Sequence, residues 1–172
     1  MKEVISDPDV NGPHEFLLAL HRSLNKLLRS RSGSDGLADS MDVSVIEINS
    51  NARELRVASA NRPVLLSMNG KLTELRGDRR TVGGGLENDK PFTCHEFPWN
   101  PGDQAYLFSD GVTDQFGGPA GKKLKRSGLI RAIDEIRSLP MAEQRRLFKQ
   151  CFQTWKGTLP QLDDVIMIGI RA

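Results

Sequence analysis

The dipeptide Asn69-Gly70 lies between two apolar runs, Pro63–Met68 and Lys71–Leu75, and it narrows the choice of fold more than any other feature. A two-residue hairpin turn needs positive φ at both positions, and Asn-Gly is the pair that supplies it most readily. The runs on either side are therefore expected to be antiparallel strands. More strands surround them. Val43, Val45, Ile46 and Ile48 form a β-branched run that turns at Asn49-Ser-Asn51, and Leu55 and Val57 alternate on the next strand. Strands are also expected over Phe92–Phe97 and Gln104–Phe108, joined by Pro98-Trp-Asn-Pro-Gly-Asp103. The closing run Val165–Ile170 is apolar on both faces and reads as a central strand.

Helical periodicity appears elsewhere in the chain. Phe16, Leu17, Leu20, Leu24, Leu27 and Leu28 share one helical face, which predicts a helix over Pro13–Arg29. Pro13 suits the first helical position and Glu15 the positive end of the dipole. Two further helices are expected over Ser127–Leu139 and Pro140–Lys156, the second stopped by Gly157. Strands grouped together with helices set apart predict an α+β fold rather than a parallel βαβ sheet. The expected core includes Leu20, Leu24, Phe148, Phe152, Trp155, Ile166 and Ile168.

A length of 172 residues suits a single domain spanning residues 1–172, able to bury about 70% of its unfolded surface without a staple. Lys and Arg total 24 against 22 Asp and Glu, so no charge excess points to nucleic acid. No apolar run approaches the ~20 residues of a membrane span, and the N-terminus lacks a signal-peptide pattern. Cys94 and Cys151 are far apart with no metal-ligand spacing, so both are expected to be reduced and buried. The cytoplasm is the expected compartment.

Two acidic spots lie where a β scaffold can hold a site. Ser109-Asp110-Gly111 leaves the strand Gln104–Phe108, and Gln161-Leu-Asp163-Asp164 enters the closing strand. Oxygen donors without His or Cys favour Mg²⁺ or Mn²⁺ over zinc. The alternative reading makes Ser-Asp-Gly a plain turn and Asp-Asp a strand cap. His14, His21 and His95 have no shared metal spacing and are expected to be satisfied or surface residues. Ser44, Ser59 and Ser109 lack the Gly-x-Ser-x-Gly elbow, and Gly83-Gly84-Gly85 lacks the Lys-Ser/Thr of a P-loop. Arg76–Arg80 and Lys122–Arg126 read first as solvated basic loops, with a partner-binding role the lesser reading for the second.

In fixed order the chain carries Asp39-Ser-Met-Asp42, Ala58-Ser-Ala-Asn-Arg-Pro63, Thr81-Val-Gly-Gly84, Pro101-Gly-Asp103, Tyr106-Leu-Phe-Ser-Asp-Gly-Val-Thr-Asp-Gln115 and Gln161-Leu-Asp-Asp-Val-Ile-Met-Ile-Gly-Ile-Arg171. Together these motifs resemble the SpoIIE/RsbU branch of the PPM metal-dependent serine/threonine protein phosphatases, from about Asp7 to Arg171. The resemblance implies an α-β-β-α sandwich of two antiparallel sheets flanked by helices. It further implies a two-metal Mn²⁺ or Mg²⁺ centre with Asp110 and Asp163 as ligands. Asp164, Gly111, Asp114 and Asp42 would then support those ligands from behind or take the place of one. The implied activity is hydrolysis of a phosphorylated STAS-type anti-sigma-factor antagonist in a bacterial partner-switching pathway. A homodimer is a further expected association, and neither nucleic acid nor a membrane span is expected. The family's N-terminal strands, first helix and Gly-Asp…Gly-His-Gly metal motif find no match here. The chain is thus expected to be N-terminally truncated, with weak turnover on its own. The competing expectation is a non-catalytic binding module of phosphatase ancestry.

Overall fold

The computed structural model describes residues 10–31, 39–84 and 90–172. Gly85, the last residue of the triple glycine, lies outside them. The elements run, in order, α1 (Pro13–Arg31), β1 (Ser40–Met41), β2 (Val43–Asn49), β3 (Glu54–Ala60), β4 (Val64–Met68), β5 (Lys71–Leu75), β6 (Val82–Gly83), β7 (His95–Pro98) and β8 (Gln104–Phe108). They continue with α2 (Asp110–Asp114), β9 (Phe116–Gly117), β10 (Lys122–Lys123), α3 (Lys125–Ile136), α4 (Met141–Lys156) and β11 (Met167–Arg171). The class is α+β with antiparallel sheets, as the sequence predicts. Contacts divide the chain into two compact units, Met1–Val64 with Leu75–Asn100, and Leu65–Glu74 with Pro101–Ala172.

In the first unit β2, β3 and β7 form an antiparallel sheet in that order. The β2–β3 turn is held by the Asn49 side chain, whose Oδ1 accepts the Ala52 N–H at 3.0 Å, and Arg53 takes φ 51°. Helix α1 begins at Pro13 as expected and runs to Arg31, two residues past the predicted end. Its Leu17 is fully buried with Ala58, Ala60, Val82 and Phe92, while Leu20 and Leu24 pack half-buried beside them. His21 is a satisfied core residue. Its Nδ1 accepts the Gly83 N–H at 3.1 Å and its Nε2 lies 3.0 Å from the Asn25 carboxamide. Strand β7 is shorter than the predicted Phe92–Phe97 and includes Pro98, which pairs with Glu54 at the strand's end, where a missing N–H costs little. The loop after β5 is less solvated than its charges suggest. Asp78 receives the Thr93 N–H and hydroxyl at 2.7 and 2.8 Å, and the Arg80 guanidinium lies 3.6 Å over the Phe92 ring.

In the second unit the sheet order is β11-β8-β4-β5. The Asn69-Gly70 hairpin forms as predicted, with φ of 50° and 74° at the two turn residues. Leu65, Tyr106, Phe108, Val112, Leu129 and Ile133 make the core, with Phe148, Val165 and Met167 partly buried around it. Helix α3 starts two residues before the predicted Ser127 and stops at Ile136. Residues 137–140 then form the link to α4, where the Pro140 carbonyl accepts the Glu143 and Gln144 N–H groups. Phe152 is buried as expected, and Trp155 is half-buried.

The expectation for the closing strand fails. Among the described residues β11 is an edge strand, paired only with β8, and Ile166 and Ile168 are 55% and 48% exposed. The physical reason lies in the pairing. Ser109 N–H donates to the Ile166 carbonyl at 3.0 Å, and Ala172 N–H to the Asp103 carbonyl at 2.9 Å. By alternation, Ile168 and Ile170 also turn their backbone groups toward β8, while Met167, Gly169 and Arg171 turn theirs to the open edge. One side-chain face, with Val165 and Met167, reaches the core; the other does not. The cysteine expectation fails in part too. Cys94 is half-buried and burial pushes its thiol pKa up, but Cys151 is exposed on α4. Among the described residues no helix is long and apolar enough to cross a membrane.

Candidate metal centre

Strand β8 is interior to its sheet, paired with β4 up to Tyr106 and with β11 up to Phe108, so its C-terminal end is held by β11. The next residue, Ser109, is extended (φ −81°, ψ 162°) and turns the chain into α2. Its hydroxyl does not cap that helix. It donates instead to the Asp164 carbonyl at 2.7 Å and accepts the Ile166 N–H at 2.9 Å. Ser109 thereby ties the segment that leads into β11 to the exit of β8.

Gly111 closes the same junction. A Cβ built there would stand 2.3 Å from the Asp164 carbonyl oxygen and 3.3 Å from the Asp163 carbonyl carbon. Only glycine lets the 163–164 backbone lie against the first turn of α2. Asp110 and Asp163 therefore flank one backbone contact between the start of α2 and the segment leading into β11. Asp110, Asp163 and Asp164 are all exposed. Asp163 Oδ1 accepts the Asp164 N–H at 2.7 Å, and its carbonyl accepts from Gln161 Nε2 at 2.9 Å. This ties one carboxylate oxygen of an exposed side chain to the backbone.

The remaining candidates are placed differently. Asp114 ends α2 in an ion pair with Lys123 at 2.9 Å, so its charge is already met. Asp42 lies in the first unit, where its Oδ1 accepts from Asn61 Nδ2 at 3.1 Å. His14 is on α1, and His95 stacks on Phe97 at 6.5 Å. Among the described residues no group of three or more His, Cys, Asp or Glu could hold a metal ion. The donor set at Asp110 and Asp163 is all oxygen, which fits a hard cation in kind. In number it falls short of a two-ion centre.

Ser109 is the residue that sequence reasoning missed. The sequence marks it as part of a Ser-Asp-Gly turn without a nucleophile elbow, whereas it acts as a clasp between the exit of β8 and the segment leading into β11. A serine next to Asp-Gly at a strand exit is a signal for that role, since its hydroxyl can both donate and accept.

The family model described as "Stage II sporulation protein E (SpoIIE)" matches residues 3–172. Among solved structures, the SiaA-PP2C domain of Pseudomonas aeruginosa superposes with a TM-score of 0.81 at 25% identity. That match covers 99% of this chain and 65% of the SiaA chain. The PP2C phosphatase domain of SpoIIE from Bacillus subtilis, solved with a fragment of its regulatory domain, gives 0.65 at 14% identity, covering 99% of this chain and 46% of that one. The catalytic domain of the serine threonine protein phosphatase PstP, in complex with 2 manganese ions, gives 0.60 at 12% identity, with 98% and 74% covered. This chain thus spans less than two thirds of the SiaA and SpoIIE chains. The comparison with curated protein sequences found no match.

Proposed function

The chain belongs to the SpoIIE family of PP2C-type phosphatase domains, and from that premise we propose that it serves as a metal-dependent protein serine/threonine phosphatase domain. The substrate class proposed is a phosphorylated STAS-type antagonist in a partner-switching pathway, in the cytoplasm. The observation that supports this reading is the Gly111 contact, which brings the 163–164 backbone against the residue that follows Asp110. Those two aspartates are the proposed Mn²⁺ or Mg²⁺ ligands. Asp164 is the alternative donor, and Ser109 holds both segments in place.

A pair of such ions, when bound, supplies an activated water and positive charge for the phosphoryl oxygens. The chain's own residues do the positioning. The β8–β11 ladder fixes the distance between the two strand ends, and the Ser109 clasp resists their separation. A placement error of about 1 Å at such a site costs on the order of 10²-fold in rate. With Asp110 and Asp163 as ligands, Asp164 only an alternative to them, and no group of three or more candidate ligands among the described residues, turnover by these 172 residues alone is expected to be small.

Phosphate release from a phosphoserine peptide in excess Mn²⁺ tests the reading. The expected result is slight metal-dependent release that disappears in both Asp110→Asn and Asp163→Asn. Release that survives both substitutions contradicts the assignment. The missing third ligand also favours a second reading, a non-catalytic binding module of phosphatase ancestry. Complete absence of release in the unsubstituted chain supports that module.

A further inference from the structure

The stretch that carries Asp110 and the stretch that carries Asp163 are joined at a second place besides the Ser109 clasp. Gln115 follows α2 directly and is 1% exposed. Its Nε2 lies 3.0 Å from the Phe116 carbonyl and 3.0 Å from the Pro160 carbonyl. Carbonyls only accept, so the nitrogen donates to both and the orientation of the amide is set. Its Oε1 is then buried with no hydrogen-bond partner among the described residues. An unpaired buried acceptor is a cost that an apolar side chain of the same volume would avoid. What glutamine supplies and an apolar residue cannot is the bond to Pro160.

Gln115 is itself held from two directions. Its backbone carbonyl accepts from Trp155 Nε1–H on α4 at 3.0 Å and from the Leu124 N–H at 2.9 Å. The glutamine is thus an anchored post rather than a free side chain.

The two ties fall on either side of the two aspartates. One stretch runs Ser109, Asp110, Gln115, and the other runs Pro160, Asp163, Asp164, Ile166. Ser109 bonds to Asp164 and Ile166, and Gln115 bonds to Pro160. Asp110 and Asp163 therefore each lie within a stretch fastened at both ends. Pro160 adds stiffness at its tie, because its ring fixes φ. Between the ties, Gln161 Nε2 donates to the Asp163 carbonyl at 2.9 Å, and Asp163 Oδ1 accepts the Asp164 N–H.

We propose that Gln115 is a positioning residue, whose amide holds the 160–164 segment against the 109–115 segment and so sets where Asp163 stands relative to Asp110. The consequence for metal binding rests on the phosphatase reading; the hold on the segment does not. Mg²⁺ demands near-ideal octahedral geometry, whereas Ca²⁺ accepts a flexible one. A ligand pair that has lost its fixed spacing therefore loses Mg²⁺ first.

The test uses the whole chain carrying Gln115→Met, which keeps length and volume without a donor, or Gln115→Asn, whose amide is one methylene short. The first measurement is amide exchange in metal-free protein. The Leu159 and Asp164 amides, which donate to the Lys156 carbonyl and Asp163 Oδ1, are expected to exchange about tenfold faster in both variants, with β8 unchanged. The second follows Mn²⁺ by the resonance signal of the free ion, with Mg²⁺ and Ca²⁺ as competitors. Mg²⁺ affinity is expected to fall about tenfold and Ca²⁺ affinity only about twofold. A variant that is merely less folded loses both ions in equal proportion, and that result overturns the positioning role. Unchanged exchange, or wild-type affinity for both ions, overturns it as well. The metal reading fails separately: if the wild type retains no Mn²⁺ while the exchange difference persists, Gln115 holds the segment and Asp110 and Asp163 hold no ion.

Discussion

At Gly111 a single missing methyl group decides whether two chain segments can meet. The Asp164 carbonyl oxygen occupies the space of a Cβ at 2.3 Å, and because that atom belongs to backbone it cannot swing aside. Gly111→Ala is therefore expected to destabilise the protein by about 1–3 kcal/mol, as overpacking does, and to move Asp163 away from Asp110. Chemical denaturation and a Mn²⁺ titration on the variant check both effects. Tyr106 offers a test by pH. Its hydroxyl lies between Gln104 Oε1 at 2.7 Å and Gln144 Oε1 at 2.8 Å. Burial is the main cause that pushes its pKa up to about 12 from 10. The folded state thus favours the neutral phenol, and that stability is full below pH 10. It is lost as pH rises from 10 toward about 12, because the unfolded chain ionises first. Alkaline denaturation of Tyr106→Phe should lack this loss, and a wild type no more alkali-sensitive than the variant contradicts it.

Elements whose pattern is local were legible in the sequence. Asn69-Gly70 specifies its own turn through φ, so the β4–β5 hairpin follows from two residues. The apolar face of α1 follows from spacing alone. What decides β11 is different. Val165–Ile170 has the composition of a two-sided buried strand, but strand position depends on which partners lie alongside, and those come from distant sequence. Here β8 is the partner on one side, and the opposite edge is unpaired among the described residues. The same distance effect hid the Ser109 clasp, whose partners are 55 and 57 residues away. It also hid the role of His21, which meets Gly83 across 62 residues. An exposed edge leads to a specific expectation. Ile168→Lys should change stability by less than about 0.5 kcal/mol, as surface substitutions do, and should reduce self-association by blunting the edge. Denaturation midpoints and light scattering measure the two, and a loss of several kcal/mol contradicts the edge placement.

For the molecule as a whole, the fold class and the family were readable in the sequence, as were the long helices and strands, whereas the two-residue strands β1, β6, β9 and β10 and the five-residue helix α2 were not. The site was readable only in part. Asp110 and Asp163 stood out because each sits at a strand end in the sequence pattern, and the Gly111 contact gives their nearness a physical basis. Asp114 entered only through the family resemblance, and its pair with Lys123, nine residues on, follows from no short-range pattern. In the proposed site, the β8–β11 junction binds a divalent cation through Asp110 and Asp163. Calorimetric titration of Mn²⁺ into wild type, Asp110→Asn and Asp163→Asn tests it most directly. Weak binding in wild type that is lost in each variant is the predicted result, and three identical isotherms would contradict it.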